Sequence, residues 1–176
     1  MTVALPIENY HLKAGSVLDR ARLVKFMRQA YQEMGGEGEM GHLEHTVQRH
    51  FSSKSHIWWL IDELAPLPVG LPGTTRREPV GCLWLGEGVD QRSGTKQAYV
   101  FLLYVVAAHR RKGLGKAMML LAQQWAQQQG YVQIGLQVFE DNQPALKLYE
   151  QMGYRPKARW LALDLLDPLI HRLHKS

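Results

Sequence analysis

Apolar residues in the first third of the chain recur at helical spacing. From Asp19, a residue suited to capping a helix, they return every three or four positions, and Gly35-Gly36 ends the pattern. These positions are Leu23, Phe26, Met27, Ala30, Tyr31 and Met34. A second helix follows the same rule, with Met40, Leu43, Val47 and Phe51 directed inward. Weak alternation over Ile7–Lys13 predicts an edge strand before both helices.

The middle of the chain has the pattern of β-strands. Three apolar runs predict buried strands: His56–Leu64, Val80–Val89 and Gln97–Val106. The proline-rich segment Ala65–Pro79 predicts a surface connection between the first two. A short turn joins the last two, which implies that they are antiparallel neighbours.

From Gln97 the order changes to strand, helix, strand. An amphipathic helix is predicted over Gly113–Gln129, and the strand after it must lie parallel to the strand before it. A short helix near Gln143–Met152 follows. Tyr154–Leu165 predicts one last strand or a strand pair, and Asp167–Ser176 a basic helical tail.

The turn before the amphipathic helix combines glycines with positive charge. It consists of Arg110, Arg111, Lys112, Gly113, Leu114 and Gly115, and Lys116 stands just inside the helix. A helix N-terminus has unpaired N–H groups and a partial positive charge, and glycines let an anion come close to them. The turn therefore predicts a pyrophosphate site. Its spacing excludes a Walker loop and a dinucleotide fingerprint, because positions 110, 117 and 118 are Arg, Ala and Met.

The pattern Arg-x-x-Gly-x-Gly after a strand resembles the acetyl-coenzyme A (acetyl-CoA) loop of the GNAT superfamily of N-acetyltransferases. A second motif of that superfamily follows in the right order and separation: Asn142, Ala145, Leu148-Tyr149 and Gly153-Tyr154. The resemblance covers residues 78–165 well, and 14–55, the expected acceptor-side wall, by general layout. It implies a single α/β (α+β) domain over 1–176. Its mixed, mostly antiparallel sheet would be flanked by about four helices, with a parallel strand pair opening to hold acetyl-CoA.

The resemblance also implies a reaction, the direct attack of a primary amine on acetyl-CoA in a ternary complex. Backbone groups of Leu103, Tyr104 and Val105 would hold pantetheine, and the basic turn would hold the pyrophosphate. Asn142 matches the family position that hydrogen-bonds the pantetheine arm. Tyr149 matches the family tyrosine expected to protonate the departing thiolate.

The general base is not fixed by the resemblance. Several family members use a Glu on the central strand, but Tyr99–Tyr104 contains no carboxylate. Glu87 on the neighbouring strand is the predicted base, with His56 or a water relay as alternatives. Arg111 also departs from the family, because glycine is frequent at its position.

Composition narrows the class of protein. With 176 residues and 45% hydrophobic composition, one domain with a full core is expected. The net charge of +5 fits a phosphate-bearing ligand. Because the basic residues are scattered along the chain, they favour a phosphate pocket over a surface that binds nucleic acid. The single Cys82 excludes an internal disulfide, and no apolar run reaches membrane-spanning length. Together with the resemblance, this leads us to expect a cytoplasmic enzyme that uses no metal. It would act on a small-molecule or peptide amine, and a homodimer is left open.

Two other functions are alternatives to the N-acetyltransferase. The missing carboxylate on the central strand fits an acyl-CoA-binding sensor or interaction module that has lost turnover. Nucleic-acid binding driven by the basic charge is the weaker rival, since the distribution of basic residues does not favour it.

Overall fold

The computed structural model describes residues 2–36, 40–67 and 77–163. Its strands are β1 (Thr2–Ala4), β2 (Tyr10–Ala14), β3 (His56–Asp62), β4 (Gly81–Val89), β5 (Lys96–Val105) and β6 (Ile134–Leu136). Its helices are α1 (Arg20–Glu33), α2 (Gly41–His50), α3 (Leu114–Gln128) and α4 (Gln143–Gln151). Short 3-10 turns precede α1 and follow β5. The predicted tail at Asp167–Ser176 lies outside the described residues, as do part of the predicted connection Ala65–Pro79 and the last two residues of Tyr154–Leu165.

The six strands form one sheet in chain order, β1-β2-β3-β4-β5-β6. All neighbours are antiparallel except β5 and β6, which are parallel and are connected through α3. The predicted mixed, mostly antiparallel sheet with one parallel pair is therefore confirmed. A parallel pair needs such a crossover, because its strands run in the same direction.

The sheet buries apolar side chains on both faces, and adjacent tryptophans of β3 show this division. Trp58 belongs to the cluster that includes Met118 and Trp125 of α3. Trp59 belongs to the opposite cluster, which includes Phe26 of α1 and Val47 of α2. Side chains of a strand alternate between faces, so neighbouring residues enter different layers. Helices α1 and α2 thus cover one face, and α3 covers the other.

Two strand predictions were wrong. The strand placed at Ile7–Lys13 is not an edge strand, because β2 pairs with both β1 and β3. The unpredicted β1 is only three residues long, too short for a clear alternation. Residues 154–163 form no strand, and Trp160 and Leu161 are 82% and 87% exposed. In the described part of the chain, no strand pairs with the segment 154–163, although its sequence has an apolar pattern.

Strand β5 contains an extra residue that changes which face its side chains occupy. Trp84 of β4 pairs with Leu102, but the next residue, Leu85, pairs with Val100, so Phe101 is bulged out of the register. Phe101 and Leu102 consequently both pack on the α1–α2 side of the sheet. The bulge directly follows the last pair between β5 and β6, Val100 with Leu136.

Candidate active site

The parallel strands part at the bulge. Only Ala98, Tyr99 and Val100 of β5 pair with β6, whereas β5 continues to Val105. The edge of Phe101–Val105 that would face β6 has no strand partner in the described structure. Unpaired backbone groups on such an edge can bind an extended ligand that carries amides. Leu103, Tyr104 and Val105, the predicted pantetheine site, lie on this free edge.

The basic turn leads from the end of β5 into α3. Gly113 is the N-cap of α3 and adopts φ 80°, in the left-handed region that favours glycine. Arg111 also has a positive φ, 64°, which accounts for the frequent glycine at this family position. The first N–H groups of α3, from Leu114 onward, have no acceptor within the helix. The predicted pyrophosphate loop therefore presents its backbone donors beside the free β5 edge.

Arg110 is held by the protein itself. Its Nε donates to the Val105 carbonyl at 2.7 Å, and its guanidinium forms an ion pair with Glu33 of α1. Burial favours a higher pKa for Glu33, but hydrogen bonds from Tyr104 and Arg110 outweigh it and leave the pKa below its ordinary value. Burial and the Glu33 carboxylate together raise the pKa of Tyr104 to about 12. Glu33 was not predicted, because its partners are distant in sequence.

Lys112 is anchored to strands β2 and β3. Its Nζ donates to the Tyr10 hydroxyl at 2.8 Å, and that hydroxyl lies 2.9 Å from Nδ1 of His109. His109 in turn lies 3.6 Å from the Asp62 carboxylate. The hydrogen bond with Tyr10 raises the pKa of Lys112. This chain of contacts fixes the turn on the sheet.

Arg111 and Lys116 differ from the two anchored cations. Both side chains are exposed, and neither makes an ion pair with another described residue. They flank the helix N-terminus and remain available to an anion. Gly115 lies deeper, where an added Cβ would be 3.4 Å from Leu148 of α4 and 4.0 Å from Leu103 of β5. Strand β5, the turn and α4 therefore meet at Gly115.

Helix α4 brings the other two predicted residues to this region. The Asn142 side chain caps α4 by accepting from the Ala145 N–H at 3.3 Å, and its amide nitrogen lies 3.6 Å from the Met34 sulfur. Tyr149 is partly buried, with its ring 5.7 Å from that of Tyr154. Burial and then Tyr154 raise the pKa of Tyr149 to about 12. Tyr149 therefore keeps its proton at neutral pH.

Glu87 lies on the opposite side of the sheet from α1 and α2. A Cβ on Gly86 would be 2.8 Å from the Phe101 ring, so position 86 faces the α1–α2 side, where Phe101 packs. Side chains of a strand alternate between faces, so the next residue, Glu87, points to the opposite face. Its carboxylate accepts from the Tyr131 hydroxyl at 3.2 Å and pairs with Lys96 at 3.1 Å. The Lys96 hydrogen bond is the main cause that lowers the pKa of Glu87. This placement disfavours Glu87 as the base.

His56, the alternative base, is also on the α3 side. Its ring centroid lies 4.6 Å from that of Trp125. Burial lowers the pKa of His56 and so favours the neutral imidazole. Neither His56 nor the Glu87 carboxylate faces the helical wall formed by α1 and α2.

A cleft of about 420 Å³ opens where β5 and β6 part, on the side of α1 and α2. Its lining includes Met27, Tyr31, Thr46, His50, Tyr99, Phe101 and Phe139. The sequence interpretation placed the acceptor wall in residues 14–55 but did not identify these aromatic residues as a group. A larger, shallow depression of about 1070 Å³ lies between α1 and α2 and shares no lining residue with this cleft. Of these two openings, the cleft at the strands is the one that adjoins the free β5 edge.

The described residues contain no group of three His, Cys, Asp or Glu side chains arranged to hold a metal ion. Within the same ranges, no helix has the length and apolar character needed to cross a membrane. Cys82 is fully buried on β4, and burial raises the pKa of its thiol well above the ordinary value.

Known solved structures share this fold. A putative acetyltransferase from Pyrococcus furiosus superposes with a TM-score of 0.68 at 23% identity, covering 89% of this chain and 99% of that one. A predicted acetyltransferase from Clostridium acetobutylicum, solved with acetyl-CoA, gives 0.66 at 14% identity, covering 90% and 97%. At these identities the likeness concerns the fold.

Sequence comparison gives the family. A probable N-acetyltransferase family 8 member 5 from Mus musculus is 33% identical over 81 residues, which are 46% of this chain and 36% of the mouse protein. The match thus spans little more than a third of that relative. The uncharacterized N-acetyltransferase YdgE from Bacillus subtilis is 27% identical over 111 residues, 63% of this chain and 62% of YdgE. The profile of the acetyltransferase (GNAT) family matches residues 24–154, most of the chain, which therefore belongs to that family.

Proposed function

We propose that the protein is an N-acetyltransferase that moves an acetyl group from acetyl-CoA to a primary amine by direct attack in a ternary complex. One observation carries the proposal. The unpaired β5 edge, the glycine-capped N-terminus of α3 and an open cleft meet where β5 and β6 part.

The donor site is matched to a long ligand with amides at one end and phosphates at the other. Backbone groups on the free edge of Phe101–Val105 can pair with the pantetheine amides, except the Val105 carbonyl, which accepts from Arg110. The N–H groups of the first turn of α3 suit the pyrophosphate, with Arg111 and Lys116 beside them. Arg110 and Lys112 hold the turn in shape through Glu33 and Tyr10. In this proposal only two of the four cations predicted to bind phosphate do so directly.

The acceptor amine reaches the thioester from the α1–α2 side. Phe101 belongs both to the cleft lining and to the free β5 edge, so ligands in the two sites come into contact there. Holding both reactants side by side supplies a large share of the rate acceleration. The geometry supports a ternary complex without transfer through an enzyme nucleophile, because the only cysteine is buried away from the cleft.

The reaction forms a C–N bond and breaks a C–S bond. A backbone N–H of the Leu103–Val105 segment polarises the thioester carbonyl, an interaction worth ~3 kcal/mol for one donor in another enzyme class. Tyr149 donates its phenolic proton toward the departing thiolate. The amine loses a proton to water, since the Glu87 carboxylate and His56 both face the other side of the sheet. A water relay thus replaces Glu87 as our proposed base.

The second candidate is a sensor that binds acyl-CoA without turnover. One observation favours it: Glu87 forms an ion pair with Lys96. No other described carboxylate stands on β4 or β5 to abstract a proton. Both candidates use the same donor site. They differ only in whether an amine is acetylated.

A thermal shift with acetyl-CoA is the first test, with dephospho-CoA and NAD as controls. At a hundredfold excess over its dissociation constant, the ligand should stabilise the fold by ~2.7 kcal/mol. Release of free thiol on addition of amines then separates the enzyme from the sensor. No shift at millimolar acetyl-CoA would exclude both candidates, and binding without thiol release for any amine would favour the sensor.

A further inference from the structure

We infer that the acceptor is a primary amine attached by a short linker to an aromatic ring or a similar flat apolar group. The inference rests on the proposed acetyl transfer and names its substrate class. It comes from the side chains of the cleft where β5 and β6 part, called here the aromatic cleft.

The floor of the aromatic cleft is made by two rings of β5 and one of α2, tilted against one another. The Tyr99 and Phe101 centroids lie 4.9 Å apart, and the His50 ring lies 5.0 Å from Phe101. These rings lie over glycines of β4, because a Cβ on Gly86 would meet Phe101 at 2.8 Å and one on Gly88 would meet Tyr99 at 3.2 Å. The two glycines therefore make room for these rings on the floor of the cleft.

The opposite wall is also aromatic. Tyr31 of α1 and Phe139, which follows β6, meet edge to face with centroids 6.3 Å apart. Phe139 is 52% exposed although it is a large apolar residue. Aromatic rings prefer offset or edge-to-face partners at such separations, and each such pair adds to the free energy of burial. A ligand ring between floor and wall would gain both contacts and cover Phe139.

The charge of the aromatic cleft fits a monoamine. Glu87 is the only carboxylate residue among its described lining, and its carboxylate faces the other side of the sheet; no Lys or Arg belongs to that lining. A polyamine or an aminoglycoside carries several ammonium groups, each of which needs a counter-charge when it leaves water. An amine in apolar surroundings has a lowered pKa, and the reaction needs its neutral form.

Steady-state kinetics with a matched amine series test the inference. The series is 2-phenylethylamine, n-butylamine, spermidine and kanamycin, with thiol release as the readout at saturating acetyl-CoA. We expect kcat/KM for 2-phenylethylamine to exceed that for n-butylamine by at least about tenfold, since an aromatic contact contributes of the order of a factor of ten. Spermidine and kanamycin should be poorer still.

Two variants localise the effect. Phe139→Ala should lower kcat/KM for 2-phenylethylamine about tenfold and change n-butylamine little, because only the aryl ring loses its partner. Val132→Ala is the control, as Val132 is 86% exposed and outside the cleft lining. Binding of 2-phenylethylamine to the enzyme–CoA complex, measured by titration calorimetry, gives a readout besides turnover and should weaken equally in Phe139→Ala.

The outcomes separate this inference from the proposed function. Acetylation of n-butylamine or spermidine as fast as 2-phenylethylamine would overturn the aromatic acceptor and leave the acetyltransferase standing. An unaltered preference in Phe139→Ala would also overturn it. Acetyl-CoA binding with no acetylation and no binding of any amine would overturn both.

Discussion

The Tyr104 hydroxyl donates a hydrogen bond of 2.7 Å to the Glu33 carboxylate and so joins β5 to the last turn of α1. Arg110 of the basic turn pairs with the other oxygen of the same carboxylate. Glu33 therefore connects three parts of the site: the acceptor wall, the free β5 edge and the loop proposed to bind pyrophosphate. A carboxylate with these two partners contributes to stability in a pH-dependent way.

Substitution of Glu33 by Gln is expected to lower the melting temperature at pH 7. The pKa of Glu33 in the folded protein is below its ordinary value of 4.5, so its contribution is present above pH 4.5. That contribution is lost as the pH falls through the lowered folded value. Melting curves of both proteins between pH 3 and 7 check this, and Glu150→Gln, an exposed residue without an ion pair in the described structure, is the control. A difference that stays constant down to pH 3 would contradict the assignment.

Removal of the Tyr149 hydroxyl should separate turnover from binding. Tyr149→Phe is expected to lower kcat roughly a hundredfold or more, the usual range for a lost general acid, because the thiolate then departs without a proton donor. The dissociation constant of acetyl-CoA should stay within a few-fold. Tyr154→Phe is the matched control, since its ring lies beside that of Tyr149. Equal losses in both variants would indicate a packing effect.

The pH dependence of kcat follows from the raised pKa of Tyr149. A phenol with a pKa of about 12 stays protonated through pH 10, so its titration cannot cause an alkaline decline in that range. Turnover measured from pH 6 to 10 should rise or level off as the amine loses its proton. An alkaline decline below pH 10 that disappears in Tyr149→Phe would rule out this environment for the phenol.

The two glycines of the basic turn should respond differently to alanine. Gly113→Ala should cost roughly 1–2 kcal/mol of unfolding free energy, because φ 80° is unfavourable for a residue with a Cβ. Gly115→Ala should be nearly neutral, since its Cβ would make an ordinary contact with Leu148 at 3.4 Å. Urea denaturation of both variants compares their free energies of unfolding. A larger loss for Gly115→Ala than for Gly113→Ala would contradict the left-handed conformation assigned to Gly113.

Local sequence features were enough to predict the turn before α3 and the parallel strand pair that the proposed donor site uses. Gly113 and the cations around it are contiguous, and the parallel strands follow from the strand–helix–strand order. The fold class could be predicted for the same reason, as could the positions of the four main helices. Each of these features depends on residues close together in the chain.

Other features depend on pairing between distant segments. Glu33 meets Tyr104 across 71 positions, and Lys112 meets Tyr10 across 102. The face occupied by Glu87 depends on strand pairing, and Phe101 and Leu102 pack on the same face only because β5 is bulged. The apolar pattern of residues 154–163 predicted a strand, but a strand needs a partner that sequence spacing does not reveal. On these grounds the aromatic cleft was not predicted, and the placement of Glu87 moves our proposed base to the water relay that the sequence leaves as an alternative.

The bulge at Phe101 has a consequence for how acceptor preference can change. The side chains of Tyr99 and Phe101 line the acceptor cleft, whereas residues beyond the bulge pack their side chains on both faces of the sheet and offer backbone groups at the free edge. One strand thus serves the acceptor through side chains and the proposed acetyl-CoA site through its backbone. Mutations at positions 99 and 101 can diversify the choice of amine while the acetyl-CoA half of the strand is inherited unchanged.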